Sequence, residues 1–257
     1  MTVHVLFGNS ERNSGFGAAP RAATLSAQIV SDVRTALFEK RLKPGDFLGG
    51  EKDIAARSGV SRIVARDALR TLQALGIVDI KVGSGGGARI ARGDPRRFAE
   101  ALAIQLELAG TDVVEILDAQ RAIESFAAEL AAENATAADF KRLHALIDEA
   151  ALLLDDVPAF TKNGADFHLA VAEASHNRVL AIQLHSLQHV SWPSSNPTLT
   201  HPVSAHVLDA HRELVELIEM RDGAGARRAM DDHVKMIRAR RIAEHGDKKT
   251  NDNNTCC

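Results

Sequence analysis

Two sets of residues in this chain have the side-chain types and spacing to bind something. The first is the run SRIVARDALR, in which Arg62, Arg66 and Arg70 recur at every fourth position. A guanidinium is a permanent cation with a planar fork of donors, matched to phosphate oxygens and to the O6 and N7 edge of guanine. On a helix turning about 100° per residue, Arg66 and Arg70 fall about 40° and 80° from Arg62. Val64, Ala65, Ala68, Leu69, Leu72 and Leu75 gather on the other side, between roughly 200° and 340°. One face should therefore be core and the opposite face cationic. The second set is His168 in ADFHLAVAEASHN, His211 in DAHRELVELI and His233 in MDDHVKMI, each on a separate expected helix. A lone helical histidine is more often packed or solvated than ligating, and spacing alone does not bring these three together. Imidazoles from neighbouring helices of a bundle can nevertheless hold a divalent metal and leave positions open for an anion.

These residues need elements to position them. Residues 1–23 are rich in Gly, Ser, Asn and Ala with little periodicity and read as a flexible arm. A helix is expected from Thr24 to about Arg41, with Leu25, Ile29, Val33, Ala36 and Leu37 on one face. KPGD makes a turn, EKDIAARS a short helix, and Gly59 stops it. The arginine helix follows, capped by Ser61 and ended by Gly76. IVDIKV and ARIA bracket GSGGG, which reads as a β-hairpin with a glycine tip, suited to close approach of backbone to a sugar-phosphate wall. Beyond this the pattern is helical throughout. Helices are expected over Pro95–Ala109, Asp112–Glu133, Thr136–Leu154, Phe160–Ser175, Val179–Val190, Val203–Arg221 and Ala224–Glu244, separated by breakers such as Gly110, Pro158 and WPSSNP. Residues 246–257 should fray into a disordered tail.

Composition narrows the function classes. Apolar residues make up 45% and charged residues 25% of the 257, as in an ordinary globular protein. Few aromatics, no Tyr and abundant Ala and Leu favour helices over a β-sandwich. Cys256 and Cys257 are adjacent, so they cannot staple a fold, and a reducing compartment fits best. No uncharged apolar run reaches membrane-spanning length and MTVHVLFGNSER lacks the features of a signal peptide, so the expected location is the cytoplasm, with no membrane partner. Residues 24–97 hold 14 Lys and Arg against 8 Asp and Glu, whereas residues 98–245 hold 13 against 23. A basic module on an acidic body implies two domains with different partners, the basic one facing a polyanion.

A helix, a tight turn at glycine, a helix with basic residues near its start and then a hairpin is the order of a winged helix-turn-helix, whose second helix can enter the major groove of DNA. GSGGGA after a strand also suits a nucleotide loop. That site needs a following helix to receive phosphate, and ARIARGDP reads as a returning strand and turn instead.

The stretch LKPGDFLGGEKDIAARSGVSRIVARDALRTLQALGIVDIKVGSGGG resembles the DNA-binding domain of GntR-type bacterial transcription regulators. The resemblance implies DNA contacts from Lys52, from Arg62 and Arg66, and from the wing around Gly85, in a homodimer on a short, nearly palindromic operator. Ser61 at the cap and Arg70 at the end of the stripe complete the DNA-facing set. Gly49 and Gly50 stand where the family has Pro and Ser, which should loosen the start of the short helix.

AQRAIESFAAELAAENATAADFKRL, FHLAVAEASHN and AHRELVELIEMRDGAGARRAMDDHV resemble the all-helical FCD ligand-binding domain of the FadR subfamily. Metal-binding members use one Asp and three His, and His168, His211 and His233 match the imidazoles. The Asp position is Gly164 here. Asp166 lies about 200° and Asn163 about 140° around the helix from His168, so neither replaces it. The implied cofactor is a divalent metal such as Zn2+ or Ni2+. Arg121 matches an arginine that faces the effector pocket, where a guanidinium can grip a carboxylate, its alternative role being an ion pair with Glu124 or Asp118. Trp192 is a second pocket candidate. His185 and His189, four apart, could chelate on their own or simply be solvated.

The expected fold is mainly α: a winged helix-turn-helix with a small hairpin wing over 24–93, then an all-α antiparallel bundle over 94–245 for effector binding and dimerisation. The function expected is that of a DNA-binding transcriptional regulator, a repressor, answering to a small organic acid. The alternative is a metal-dependent hydrolase with an appended nucleic-acid module, since three His and an open position could activate water. No HExxH motif supports it.

Overall fold

The structure is a computed structural model in which residues 22–83, 86–191 and 199–252 are described. Gly85, Trp192 and residues 1–21 lie outside that set. The chain divides into two compact units, residues 1–94 and 95–257.

The first unit holds α1 (Ala22–Phe38), β1 (Phe47–Gly49), α2 (Glu51–Ser58), α3 (Arg62–Ala74), β2 (Val78–Lys81) and β3 (Gly87–Ile90). Helix α1 ends at Phe38 rather than Arg41, because Lys40 turns into the left-handed region at φ 59°. Ile29, Val33, Ala36, Ile54, Val64, Ala68, Leu69, Leu72, Val78, Ala88 and Ile90 form one core. The two helices around Gly59 are set by local chemistry. Gly59 takes φ 64°, a conformation that strains residues with a Cβ, and the Ser61 hydroxyl accepts the Val64 N–H at 3.3 Å to start α3. Leu75 is 58% exposed, so the apolar seam of α3 closes at Leu72.

The hairpin forms with Val78 opposite Ile90 and Ile80 opposite Ala88. A third strand, β1, joins on the far side of β3 to give the order β1-β3-β2. At three residues, β1 is too short to show an alternating pattern in sequence. The glycines near the hairpin turn serve the fold itself. A Cβ on Gly86 would lie 2.4 Å from the Lys81 carbonyl oxygen, and one on Gly87 would lie 2.7 Å from the Phe47 ring.

The start of α2 is held, not loose. Gly49 sits at φ 100° and the Gly50 N–H donates to Asp53 Oδ2 at 2.8 Å, while Arg57 donates to the Leu48 carbonyl. Gly49 suits the positive φ of the backbone there, and Gly50, in extended backbone, takes its cap from the side chain three residues on.

The second unit is a helical bundle: α4 (Pro95–Leu108), α5 (Val113–Asn134), α6 (Ala137–Leu152), α7 (Val157–Ala174), α8 (Arg178–Ser191), α9 (His201–Glu219) and α10 (Gly223–Asp252). Asp112 caps α5, accepting the Val114 and Glu115 N–H groups, and Thr136 caps α6. Ala128, Ala131 and Ala132 of α5 let Phe167, Val171, Leu214, Ile218 and Met230 approach closely in a common core. Three ion pairs tie α10 along α5: Arg121 with Asp231, Arg238 with Asp118, and Arg227 with Glu129. Arg221 closes the α9–α10 corner, donating to the carbonyls of Ala132 and Ala135. Helix α10 continues to Asp252, so residues 246–252 are helical and not part of a disordered tail. Gly246 lowers helix propensity by about 1 kcal/mol, but no proline follows to end the run. Among the described residues no helix is long and apolar enough to cross a membrane.

Candidate functional site

In the first unit α3 presents the expected two faces. Val64, Ala65, Ala68, Leu69 and Leu72 are buried, and Arg62, Arg66 and Arg70 are exposed on the outer side. Lys52 is exposed on α2. Ser61 spends its acceptor on the α3 cap, and the hydroxyl can still donate its proton to a phosphate oxygen. One feature of this face has no sequence forewarning. Arg66 is gripped by Glu51 at the start of α2, Nε donating to Oε1 at 2.7 Å and Nη2 to Oε2 at 2.9 Å. The Arg66 hydrogen bonds, then the charges of Arg66, Arg62 and Arg70, hold the Glu51 carboxyl below its ordinary range.

In the bundle the three histidines meet. His168 of α7, His211 of α9 and His233 of α10 are all buried, and one ligating atom from each lies within 4.8 Å of the others. His211 Nε2 is 3.1 Å from His233 Nε2, which is 3.3 Å from His168 Nε2. Nitrogens held about 2.0–2.1 Å from a tetrahedral metal stand roughly 3.3–3.4 Å apart, so two of the three separations are close to those around a shared ion, and the third stays within 4.8 Å. Burial, and after it the neighbouring rings, push the imidazoles of His211 and His233 well below their ordinary range. They are therefore neutral near pH 7, with lone pairs to give.

Orientation is fixed from outside. Glu124 of α5, itself buried, accepts from His168 Nδ1 at 2.5 Å. A carboxylate there requires the proton on Nδ1, which leaves the Nε2 lone pair facing the other two rings. The His211 ring stacks on Phe167, with centroids 4.1 Å apart and planes 15° apart. Position 164 is open. Gly164 lines the same cavity and a Cβ there would meet nothing within 4 Å. Asp166 instead pairs with Lys162 at 2.5 Å, and Asn163 donates to Leu146 O and Glu149 on α6, so neither reaches the histidines.

The histidines line a cavity of the bundle that opens to solvent. Leu117, Phe160, Leu199, Val207, Val234 and Ile237 make most of its wall apolar. Gln120, Arg240 and Arg241 supply polar groups, and the Gln120 Nε2 is buried without a hydrogen-bond partner. Arg121 is not in this wall. Its guanidinium is clamped by Asp231 at 2.5 and 3.2 Å, not by Glu124 or Asp118, and it draws the Asp231 carboxyl down to about 2. The pairing with Glu124 or Asp118, each three residues away on α5, fails because His168 and Arg238 take those carboxylates. Arg121 is thereby a tie between α5 and α10. The readable sign of Glu124 and Gln120 was polar residues inside the buried stripe of α5; nothing local marks Arg240 and Arg241.

The apo bundle should lose stability as pH falls below about 6.5, the ordinary imidazole value. Unfolded chains take up protons there while the buried His211 and His233 do not, a slope of roughly 1.4 kcal/mol per pH unit for each group. Urea melts of chelator-treated protein from pH 7.5 to 5 check this, and a flat profile would contradict it.

A helix-turn-helix with an exposed arginine face, carried with a helical bundle whose cavity is lined by three histidines, is the build of a transcriptional regulator with a sensing domain. The family models agree: "Bacterial regulatory proteins, gntR family" matches residues 25–87 and "FCD domain" matches 115–236. The chain belongs to the GntR family of bacterial regulators, with a C-terminal FCD domain. It is 30% identical to the HTH-type transcriptional regulator LutR of Bacillus subtilis (strain 168), over 76% of this chain and 91% of that one. It is 29% identical to the Uxu operon transcriptional regulator of Escherichia coli (strain K12), over 83% and 85%. A solved Streptococcus agalactiae GntR shares the fold with a TM-score of 0.60 at 21% identity, covering 83% of this chain and 99% of that one. These relatives are regulators and not enzymes, which overturns the hydrolase alternative.

Proposed function

We propose that this protein is a cytoplasmic transcriptional repressor that binds operator DNA as a homodimer and releases it when its bundle takes up a small organic acid. Lys52, Ser61, Arg62, Arg66 and Arg70 are assigned to DNA, Arg62 and Arg66 to base edges and the others to phosphates. The wing around Gly85 belongs to the same interface. The effector site is the cavity lined by the three histidines, with Gln120, Arg240 and Arg241 as its polar wall; Trp192 is a further candidate. One observation carries the reading: three buried imidazoles and a bracing carboxylate from four helices converge on the wall of a largely apolar cavity. His168, His211 and His233 would hold a divalent ion, Zn2+ or Ni2+, which when bound supplies a Lewis-acidic anchor for a carboxylate. The chain's own groups orient the acid: Arg240 and Arg241 add positive charge, and Gln120 offers an amide N–H to an acceptor oxygen. Only an effector that binds the two arrangements of the dimer unequally can shift operator occupancy. Selection of bound genomic fragments tests the whole reading, because recovered operators name the adjacent genes and supply the DNA for effector release assays. Failure to enrich any fragment overturns it.

Gly164→Asp is expected to raise metal affinity, by roughly tenfold to a hundredfold. It adds a carboxylate oxygen where the open space at the Gly164 Cβ faces the cavity. Competition against a metal-sensitive dye reads the change, and equal affinities would show that position 164 does not reach the ion.

A further inference from the structure

The Glu51–Arg66 pair lies on the face assigned to DNA, where a carboxylate is at first sight misplaced. Duplex phosphates repel it, and an exposed ion pair contributes little to stability. Its geometry gives it another use. The carboxylate occupies Arg66 Nε and one N–H of Nη2, the side of the fork that faces α2. Nη1, with two N–H groups, and the second Nη2 N–H remain on the outward end, the pair of donors that a guanine O6 and N7 require. The clamp also fixes the plane of a side chain that otherwise carries large rotamer freedom, and it cancels the charge by which Arg66 would attach to any phosphate it met.

We propose that Glu51 is a specificity-determining positioning residue: by clamping and neutralising Arg66 it converts a general phosphate anchor into a base reader. This rests on the operator-binding reading. Glu51 is well sited for the role, since it is the first residue of α2, where the helix dipole favours a carboxylate, and it feels Arg62 and Arg70 as well as Arg66. The device trades affinity for discrimination. A free Arg66 would bind every duplex more tightly and distinguish among them less.

The test uses the full-length protein and a random-sequence duplex library. Wild type is carried through rounds of selection, and the enriched duplex and its scrambled counterpart are titrated with wild type, Glu51→Gln and Glu51→Asp at several salt concentrations. Glu51→Gln should bind the scrambled duplex at least threefold more tightly, and its preference for the enriched duplex should fall about tenfold. Its log-log salt slope should steepen by about one unit, the signature of one added phosphate contact. Glu51→Asp, which keeps the charge on a shorter arm, should recover most of the preference and the wild-type slope. A merely structural role would lower binding to both duplexes alike. A preference ratio for Glu51→Gln within twofold of wild type, or above it, overturns the inference. If wild type enriches no duplex, the operator reading itself fails and this inference goes with it, whereas a normal wild-type motif with an unchanged Glu51→Gln ratio rejects only the role of Glu51.

Discussion

Alanine at both Arg62 and Arg66 is expected to abolish the preference for operator over scrambled DNA while leaving the bundle folded. A bidentate arginine–guanine contact is worth about 1–3 kcal/mol of discrimination, so losing two costs roughly 30-fold to 10⁴-fold in specific affinity. Neither side chain belongs to the core of the first unit, whose α3 face is Val64, Ala65, Ala68, Leu69 and Leu72. Thermal melting should therefore stay within the small range typical of surface substitutions. The single variants should differ. Arg66→Ala strips Glu51 of its bidentate partner and leaves a bare carboxylate against the phosphates, so it should weaken binding more than Arg62→Ala. Fluorescence anisotropy on operator and scrambled duplexes measures all of these. A double variant that binds both DNAs as wild type does would end the regulator reading of α3.

His211→Asn or His233→Asn should remove stoichiometric metal from the purified protein, where wild type is expected to hold about one divalent ion per chain. Each change deletes one of three nitrogens that lie within 4.8 Å of one another, with no carboxylate at position 164 to compensate. The loss should exceed the roughly 10- to 100-fold cost of disturbing a bracing partner, for which Glu124→Gln is the comparison. Glu124→Gln keeps the side-chain volume but presents a neutral amide to His168 Nδ1 in place of a carboxylate. Elemental analysis after supplementation ranks the variants, and calorimetry separates metal loss from unfolding, because His211 also packs on Phe167. Wild-type protein without bound metal, or His variants that retain it, would remove the metal from the proposed mechanism and leave DNA binding untouched.

The two proposals differ in how far they were legible in the residues. The arginine stripe was readable because helical period, an N-capping Ser61 and a left-handed Gly59 are local properties, settled within a few residues of one another. The bundle's helices were readable for the same reason, from apolar period and caps such as Asp112 and Thr136. Strand β1 was not, since its three residues acquire a strand conformation only by pairing with β3, some 40 positions later. The glycine run suggests an accommodation for DNA, yet Gly86 and Gly87 are required by the Lys81 carbonyl and the Phe47 ring. Likeness of motif points Arg121 into the pocket, and the contact that holds it elsewhere, Asp231, is 110 residues away.

By itself, then, the order of residues determined where the helices start and stop, which side of α3 is cationic, and that three histidines lie on three helices. Periodicity and capping are short-range, so they survive being read along a line. Only the tertiary structure decided that those histidines share one point, that Glu124 aims the first of them, that Arg240 and Arg241 rather than Arg121 line the cavity, and that Glu51 holds Arg66. Each of these depends on the mutual angle and rotation of packed helices. Those are set by how whole side-chain surfaces interlock across the core and not by any residue's neighbours in sequence.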